Sequence, residues 1–169
     1  VGSGAPKGKE LDIPGRHETD QVFIGIEWLE SVHFGHVESV GARVLIIGVG
    51  NTAMDCCRSA KRLGATDVKV IARKTRKYFK ASPWELEDAE EEGVEILENL
   101  QPVRFIIEDG RLTGMEFERF RSTEVDGQLR QEKVGRVGPP QDGQRPTGVL
   151  TRSRPRPPSQ KRRSIHPAA

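Results

Sequence analysis

Apolar and polar positions change their period twice within residues 43–72, and this change predicts a strand, a helix and a second strand. Arg43-Val44-Leu45-Ile46-Ile47 is an apolar run of strand length, and Val68-Lys69-Val70-Ile71-Ala72 is another. Between them, apolar residues recur at spacings of three and four, as on the buried face of a helix: Ala53, Cys56, Cys57, Ala60 and Leu63. Gly64 follows this face and predicts the end of the helix.

Weaker patterns on either side predict two more helices. Residues 20–34 carry apolar positions on one face, with Asp20 as the N-terminal cap and Gly35 after the last turn. Ser82-Pro83-Trp84-Glu85 is a capping box with proline at the first helical position, and Gly93 ends the helix that it begins.

The remaining apolar runs predict strands. Val94-Glu95-Ile96-Leu97 is a third short strand, and residues 101–107 and 112–120 flank Asp109-Gly110, a strong hairpin signal. Alternating strands and helices favour a parallel sheet. We therefore predict a small three-layer α/β domain, with a Rossmann-like parallel sheet and an appended antiparallel β-hairpin.

The apolar periodicity is lost from Asp126 onward. Seven of the 11 prolines lie beyond that point, and the net charge is −5 for residues 1–125 but +7 for residues 126–169. Such a segment buries too little apolar surface to offset its ordering entropy, so we predict a basic, disordered tail. Its run from Arg152 to Arg163 lacks aromatic residues on which bases stack, so no specific nucleic-acid partner is expected.

Composition removes several classes of function. The two cysteines, Cys56 and Cys57, are adjacent and form no C-x-x-C pair, so we expect buried, reduced thiols in a cytoplasmic protein. No apolar run reaches the roughly 18 residues of a membrane span. His33 and His36 have no acid or cysteine at metal-ligand spacing. We predict no metal site, and no Ser/His/Asp or Cys/His arrangement suggests a catalytic residue.

The turn between the first strand and the helix carries the chemistry. Gly48-Val49-Gly50-Asn51-Thr52-Ala53 has the Gly-x-Gly-x-x-Ala form of dinucleotide-binding turns. Gly48 permits a tight turn, Gly50 lets a pyrophosphate approach the backbone, and Ala53 lets the helix lie close to the strand. The unpaired amides of Asn51, Thr52 and Ala53 at the helix start would bind an anion. The alternative is a purely structural glycine turn.

A basic cluster follows the second strand, where dinucleotide-binding domains distinguish NAD from NADP. It comprises Arg73-Lys74-Thr75-Arg76-Lys77 and Lys80, and it contains no acid. Cations at this place favour a 2′-phosphate and hence NADPH, whereas a solvated basic loop is the plain alternative. Glu90-Glu91-Glu92 lie at the negative end of the following helix, where they mark either a functional acid or a solvated helix end.

Three of these motifs in order resemble the NADPH-binding domain of the glutamate synthase small-subunit family, which includes the N-terminal flavin portion of dihydropyrimidine dehydrogenases. They are residues 48–56, Arg73-Lys74 and residues 90–95. Upstream, residues 2–5 and 11–15 are similar to the segment where the FAD domain of that family joins the inserted NADPH domain. The resemblance covers roughly residues 1–120.

The resemblance implies a flavoprotein in which NADPH gives hydride to FAD, with electrons leaving through iron–sulfur clusters toward a larger catalytic or iron–sulfur subunit. By position it assigns the pyrophosphate to Gly48, Gly50, Asn51, Thr52 and Ala53, and the 2′-phosphate to Arg73, Lys74 and Lys80. Asp55 falls where related flavoproteins place an acid near the contact between nicotinamide and flavin. An acid in the favourable first helical turn is the equal alternative.

The chain also departs from that family. Asn51 stands where many members have Asp, and the FAD glycine motif, the closing FAD segment and the cluster cysteines are not in this sequence. We therefore expect a fragment with three parts: a remnant and connector of an FAD domain (1–38), an NADPH-binding domain (39–125) and the tail (126–169). A catalytically silent nucleotide-binding or subunit-docking fragment is the alternative function.

Overall fold

The computed structural model describes residues 11–138 and 148–151. These residues form three α-helices, one short 3₁₀ helix and eight strands. In chain order they are β1 (Val22–Ile24), α1 (Gly25–His33), β2 (Arg43–Ile47), α2 (Asn51–Arg62), β3 (Asp67–Ile71), the 3₁₀ helix (Arg76–Tyr78), α3 (Pro83–Glu91), β4 (Glu95–Leu97), β5 (Leu100–Glu108), β6 (Arg111–Val125), β7 (Gln128–Val137) and β8 (Gly148–Thr151).

The strands form two sheets. Five parallel strands have the order β1-β8-β2-β3-β4, and β5, β6 and β7 form an antiparallel sheet in chain order. The central pair β2 and β3 is in register from Arg43 opposite Asp67 to Ile47 opposite Ile71. The predicted α/β fold class, with a parallel sheet and an antiparallel hairpin, is confirmed.

The two faces of the parallel sheet are covered by different layers. Val44, Ile46, Val68 and Val70 pack with the helices in one core cluster. A second cluster lies on the other face of the sheet. There Leu45, Ile47 and Ile71 of the same strands pack against residues of the antiparallel sheet, namely Phe105, Leu112, Met115 and Phe117. Since side chains alternate across a strand, the apolar residues of β2, together with Val68, Val70 and Ile71 of β3, cover both faces of the sheet.

One predicted helix cap is wrong, and the other is confirmed in its position, with Pro83 as the first helical residue, but not in its hydrogen bond. Asp20 does not cap a helix, because the chain first forms β1 and α1 begins at Gly25 after the N-cap Ile24. Ser82 is the N-cap of α3, but its side chain makes no capping hydrogen bond. The apolar face of α2 is as predicted, with the addition of Met54, which is completely buried.

The predicted disorder after Asp126 is wrong for Gln128–Val137, which pair with β6 as strand β7, and for Gly148–Thr151, which form β8 between β1 and β2. Asp126 and Gly127 take positive φ values of 51° and 73°, the backbone of a tight hairpin turn. Residues 139–147 and 152–169 of the predicted tail lie outside the described residues, as do residues 1–10. In the part of the chain that the structure describes, no helix is both long and apolar enough to cross a membrane.

Gly15 is the point where the segment before β1 docks on the antiparallel sheet. Its φ is +85°, and an added Cβ would lie 2.7 Å from the carbonyl oxygen of Phe105. The Phe105 N–H donates to the Pro14 carbonyl oxygen at 2.9 Å beside this contact. The backbones approach so closely that the position excludes any side chain.

Gly15→Ala is expected to lower the free energy of unfolding by about 2 kcal/mol, from left-handed strain and the contact together. Gly110→Ala is the matched control, because Gly110 has φ +72° but open space around an added Cβ. The control should lose about 1 kcal/mol from strain alone. Urea titrations of both variants measure the difference, and equal losses would show that the contact with Phe105 has no energetic weight.

Candidate functional site

The glycine turn joins the end of β2 to the start of α2 in three residues. Gly48 has φ 117°, which an L side chain rarely adopts. Its N–H donates to the Ile71 carbonyl oxygen at 3.0 Å, so the turn is bonded to the end of β3. Gly50 is the N-cap of α2, with an extended backbone at φ −121° and ψ 172°.

Open space lies above Gly50. An added Cβ there would find no heavy atom within 4 Å. The backbone conformation of Gly50 suits any residue, so neither strain nor packing in the protein explains the glycine. The absence of a side chain at Gly50 leaves room for a ligand at the start of α2.

The start of α2 presents two backbone donors rather than the predicted three. The Ala53 N–H donates to the Gly50 carbonyl oxygen at 2.8 Å, and the Met54 N–H donates to it at 3.2 Å. The prediction that the Ala53 amide is free is therefore wrong. Asn51 and Thr52 are exposed, and no described residue accepts a hydrogen bond from their backbone amides. These two donors and the positive end of the helix dipole favour an anion.

The segment between β3 and α3 returns to the glycine turn. Lys80 and Ala81 donate their backbone N–H groups to the Val49 carbonyl oxygen at 3.1 and 3.2 Å. The Ser82 N–H donates to Asn51 Oδ1 at 3.2 Å. The Asn51 side chain therefore links the starts of α2 and α3, and the predicted site residue Lys80 lies beside the turn.

Two cations of the basic cluster are held in ion pairs. Arg76 donates to both carboxylate oxygens of Glu90, at 2.5 and 2.7 Å. Lys77 Nζ lies 2.5 Å from Glu124 Oε2 on β6. The hydrogen bonds from Arg76 and Lys77 hold the pKa values of Glu90 and Glu124, respectively, below the usual range of a glutamate. Arg76 and Lys77 are thus occupied within the protein.

The acidic run at the end of α3 also has partners. Glu92 accepts from Arg58 at 2.7 Å and from Arg62 at 2.9 Å, so it joins α2 to α3. Glu90 accepts from Arg76, as described above. The carboxylates of Glu90 and Glu92 therefore hold parts of the fold together through ion pairs. These contacts give no support to the interpretation of Glu90-Glu91-Glu92 as a site with a functional acid.

Arg73, Lys74 and Lys80 differ from Arg76 and Lys77, because none of them forms an ion pair with another described residue. All three are exposed. The Lys74 ammonium lies 5.7 Å from the centre of the Tyr78 ring, a weak cation–π contact. Arg73 follows Ile71 by two residues at the carboxyl edge of the sheet, next to the strand that leads into the glycine turn. Three cations without carboxylate partners therefore adjoin the turn.

Asp55 is exposed on α2. The first turn of that helix holds no acid, because Asp55 lies one residue beyond it. The interpretation of Asp55 as a first-turn acid that favours the helix dipole is therefore wrong.

The two cysteines are buried on α2 and free. Cys56 Sγ lies 3.6 Å from the Gly25 carbonyl oxygen, and Cys57 Sγ lies 3.1 Å from the Met54 carbonyl oxygen. Burial raises the pKa of Cys57 to about 12, and it raises the pKa of Cys56 as well. Neither thiol carries thiolate at neutral pH, and the thiolate is the reactive form.

Ellman's reagent at pH 8 is therefore expected to modify neither cysteine of the native chain within minutes, and both cysteines in 6 M guanidinium chloride. The unfolded sample is the control for the reagent. Rapid modification of one thiol in the native chain would contradict the buried positions of Cys56 and Cys57.

A second cleft, of about 570 Å³, lies elsewhere in the molecule. Trp28, residues 35–41 and the start of β2 line it. The glycine turn instead follows the carboxyl end of β2, and ligands of parallel α/β sheets bind at the carboxyl ends of the strands. We therefore assign the candidate site to the glycine turn rather than to this cleft.

Fold and site together define a class: an α/β domain with a dinucleotide-type glycine turn at the carboxyl edge of its parallel sheet. A family model described as pyridine nucleotide-disulphide oxidoreductase matches residues 1–141. The chain therefore belongs to the pyridine nucleotide-disulphide oxidoreductase family. Proteins of this family use FAD and a nicotinamide dinucleotide.

Curated relatives agree with the resemblance drawn from the motifs. The NADPH-Fe(3+) oxidoreductase subunit beta of Geobacter sulfurreducens is 34% identical over 136 residues, which are 78% of this chain and 20% of the relative. The glutamate synthase [NADPH] small chain of Halomonas elongata is 38% identical over 124 residues, 71% of this chain and 26% of the relative. The chain thus spans 20% to 26% of the length of these relatives, whose names mark them as subunits of larger enzymes.

Solved structures of thioredoxin reductases share the fold. That of Giardia duodenalis matches with a TM-score of 0.59 at 18% identity, over 86% of this chain and 40% of that protein. That of T. acidophilum matches with a TM-score of 0.57 at 14% identity, with the same coverage. At this identity the likeness concerns the fold alone.

Proposed function

We propose that this chain contains the NADPH-binding domain of an FAD-dependent oxidoreductase of the glutamate synthase small-chain type. In that role it holds NADPH while hydride passes to FAD, and electrons continue to iron–sulfur clusters or to a partner subunit. Gly48, Gly50, Asn51 and Thr52 form the pyrophosphate site, and the small side chain of Ala53 lets α2 lie close to β2. Arg73, Lys74 and Lys80 form the 2′-phosphate site.

One observation carries the proposal: the open space above Gly50 coincides with backbone donors and unpaired cations. The amides of Asn51 and Thr52 adjoin that space, and they have no acceptor among the described residues. Arg73 and Lys74 lie one strand away without a carboxylate partner in the described structure. A pyrophosphate would occupy the space and a 2′-phosphate would pair with the cations.

Each group then has a defined task. The amides of Asn51 and Thr52 donate to pyrophosphate oxygens, and the dipole of α2 adds a favourable field. The Arg73 guanidinium offers two parallel N–H donors to a phosphate, whereas Lys74 and Lys80 act as point charges. Asp55 is exposed on α2 beyond the turn, and the resemblance assigns it to the contact between nicotinamide and flavin.

FAD would accept the hydride in this scheme, as flavins do in two-dinucleotide oxidoreductases. The described residues contain one Gly-x-Gly turn, at residues 48–50, and it fits the nicotinamide dinucleotide by the cations that follow β3. No second cradle is built from the described residues, so we assign none of them to FAD. The names of the relatives mark them as subunits of larger enzymes, which supports a partner subunit in the path of the electrons beyond FAD.

Isothermal titration of the full chain with NADPH and with NADH tests the proposal. The two cofactors differ only in the 2′-phosphate, so tighter binding of NADPH by about tenfold or more is expected from one or two charge-assisted contacts. Equal dissociation constants would remove NADPH selectivity, and absence of binding by either cofactor would remove the proposed site.

A further inference from the structure

The side chain of Gln131 forms one contact between the antiparallel sheet and the basic loop, which comprises residues 73–80. Gln131, on β7, donates from Nε2 to the main-chain carbonyl oxygen of Arg73 at 2.8 Å. The same amide group donates to Ser122 Oγ at 3.2 Å, and Ser122 Oγ donates to Asn99 Oδ1 at 2.5 Å. A continuous hydrogen-bonded path therefore leads from Asn99, before β5, to the backbone of Arg73.

A second contact joins the same two parts of the chain. Glu124, near the end of β6, pairs with Lys77 of the 3₁₀ helix. The hairpin of β6 and β7 thus touches the loop at Arg73 and at Lys77. At the other side of the loop, the Arg76 N–H donates to Glu98 Oε2 at 3.0 Å, and its guanidinium pairs with Glu90. The loop backbone is fixed from several sides, while the side chains of Arg73 and Lys74 remain exposed.

We propose that Gln131 is a positioning residue for cofactor selectivity, because it fixes the backbone of Arg73 and thereby the guanidinium that meets the 2′-phosphate. This inference rests on the proposed function and adds to it a role for the antiparallel sheet. Arg73 has a long, flexible side chain, and its entropy cost on binding falls when the backbone from which it extends is already held. Gln131 itself touches no cofactor in this scheme.

The expected result follows from the hydrogen bond that is lost. Gln131→Leu removes the donor at nearly constant volume and should weaken NADPH binding about threefold to tenfold, the range for one intramolecular hydrogen bond. NADH lacks the 2′-phosphate, so its dissociation constant should change less than twofold. The selectivity ratio, which is the dissociation constant of NADH divided by that of NADPH, therefore reports on Gln131. A general loss of structure would instead weaken the binding of both cofactors together.

The experiment uses titration calorimetry of the full chain with NADPH and NADH for wild type, Gln131→Leu and Gln131→Met. Gln128→Leu is the matched control, since Gln128 is exposed on the same strand and its side chain forms no hydrogen bond with another described residue. Thermal unfolding of each variant checks the fold, and Gln131→Met provides an unbranched replacement if Gln131→Leu unfolds.

The outcomes separate the two proposals. A reduced ratio in both Gln131 variants and an unchanged ratio in Gln128→Leu supports the positioning role. An unchanged ratio, or a parallel loss of both cofactors, overturns it while wild-type selectivity for NADPH stands. If the wild-type chain shows no preference for NADPH over NADH, both the proposed NADPH selectivity and the positioning role are overturned.

Discussion

Gly50→Val is expected to weaken the binding of NADPH and of NADH by about a hundredfold or more. The valine side chain would occupy the open space where the pyrophosphate is proposed to approach the amides of Asn51 and Thr52. Two charge-assisted hydrogen bonds would be lost, each with a contribution of about 1.5–3 kcal/mol. Since both cofactors carry the pyrophosphate, the ratio of their dissociation constants should not change.

The fold should accept this substitution. Gly50 has φ −121°, and an added Cβ meets no heavy atom within 4 Å. Valine is a poorer N-cap than glycine, which costs about 1 kcal/mol or less. A valine at Gly50 should therefore lower the melting temperature by only a few degrees, and titrations well below that temperature compare folded proteins.

Gly135→Val is the matched control for the same exchange. Gly135 lies in β7, and an added Cβ there also meets nothing within 4 Å. Valine suits a strand, so Gly135→Val should bind both cofactors as wild type does. If Gly50→Val binds NADPH with wild-type affinity, the pyrophosphate does not lie at the start of α2.

Arg73→Ala is expected to weaken NADPH by about 1–3 kcal/mol, or roughly 5-fold to 150-fold, with little effect on NADH. The Arg73 guanidinium is exposed and forms no ion pair with the described residues, so its removal leaves no carboxylate without a partner. The substitution therefore removes only the contact with the 2′-phosphate, which NADH lacks. Calorimetric titration with both cofactors measures the loss.

Two other arginines serve as controls for Arg73→Ala. Arg111 is exposed at the turn between β5 and β6 and forms no ion pair within the described structure, so Arg111→Ala should leave both constants unchanged. Arg76 belongs to the same loop as Arg73, but Glu90 occupies its guanidinium. Arg76→Ala should affect stability more than selectivity. Equal losses of NADPH affinity for Arg73→Ala and Arg111→Ala would indicate a general effect of net charge.

The unit of β2, α2 and β3 could be predicted from the sequence because its determinants are local. The apolar runs, the three- and four-residue spacing and Gly64 lie within 30 residues of one another. Gly64 indeed has φ +100° after the C-cap Leu63, as the end of a helix requires. The hairpin at Asp109-Gly110 was equally local, and it is confirmed by β5 and β6.

Strands β1 and β7 could not be predicted in the same way. β1 has three residues, and it exists because Val22–Ile24 pair with residues 149–151, more than a hundred positions away in the chain. β7 follows Asp126-Gly127, the same dipeptide as at the predicted hairpin, but the prolines and arginines beyond it dominated the composition. Composition averages over a segment, whereas a turn dipeptide acts on its own neighbours.

In the candidate site, too, local motifs could be predicted from the sequence and long-range contacts could not. The glycine turn and the basic cluster were visible as contiguous motifs. The pairing of Arg76 with Glu90 and of Lys77 with Glu124 joins residues 14 and 47 positions apart, so the sequence could not show which cations are occupied. The hydrogen bond within the first turn of α2 that uses the Ala53 amide likewise depends on backbone geometry rather than on residue type.

The position of the bound cofactor tests the central claim most directly. Backbone amide spectra of the ¹⁵N-labelled full chain, recorded with and without saturating NADPH, locate it residue by residue. The largest shifts are expected at Gly50, Asn51, Thr52, Arg73 and Lys74, and NADH should reproduce them at residues 50–52 but not at residues 73–74. Largest shifts around Trp28 and residues 35–41, with residues 50–52 unmoved, would contradict the proposed site.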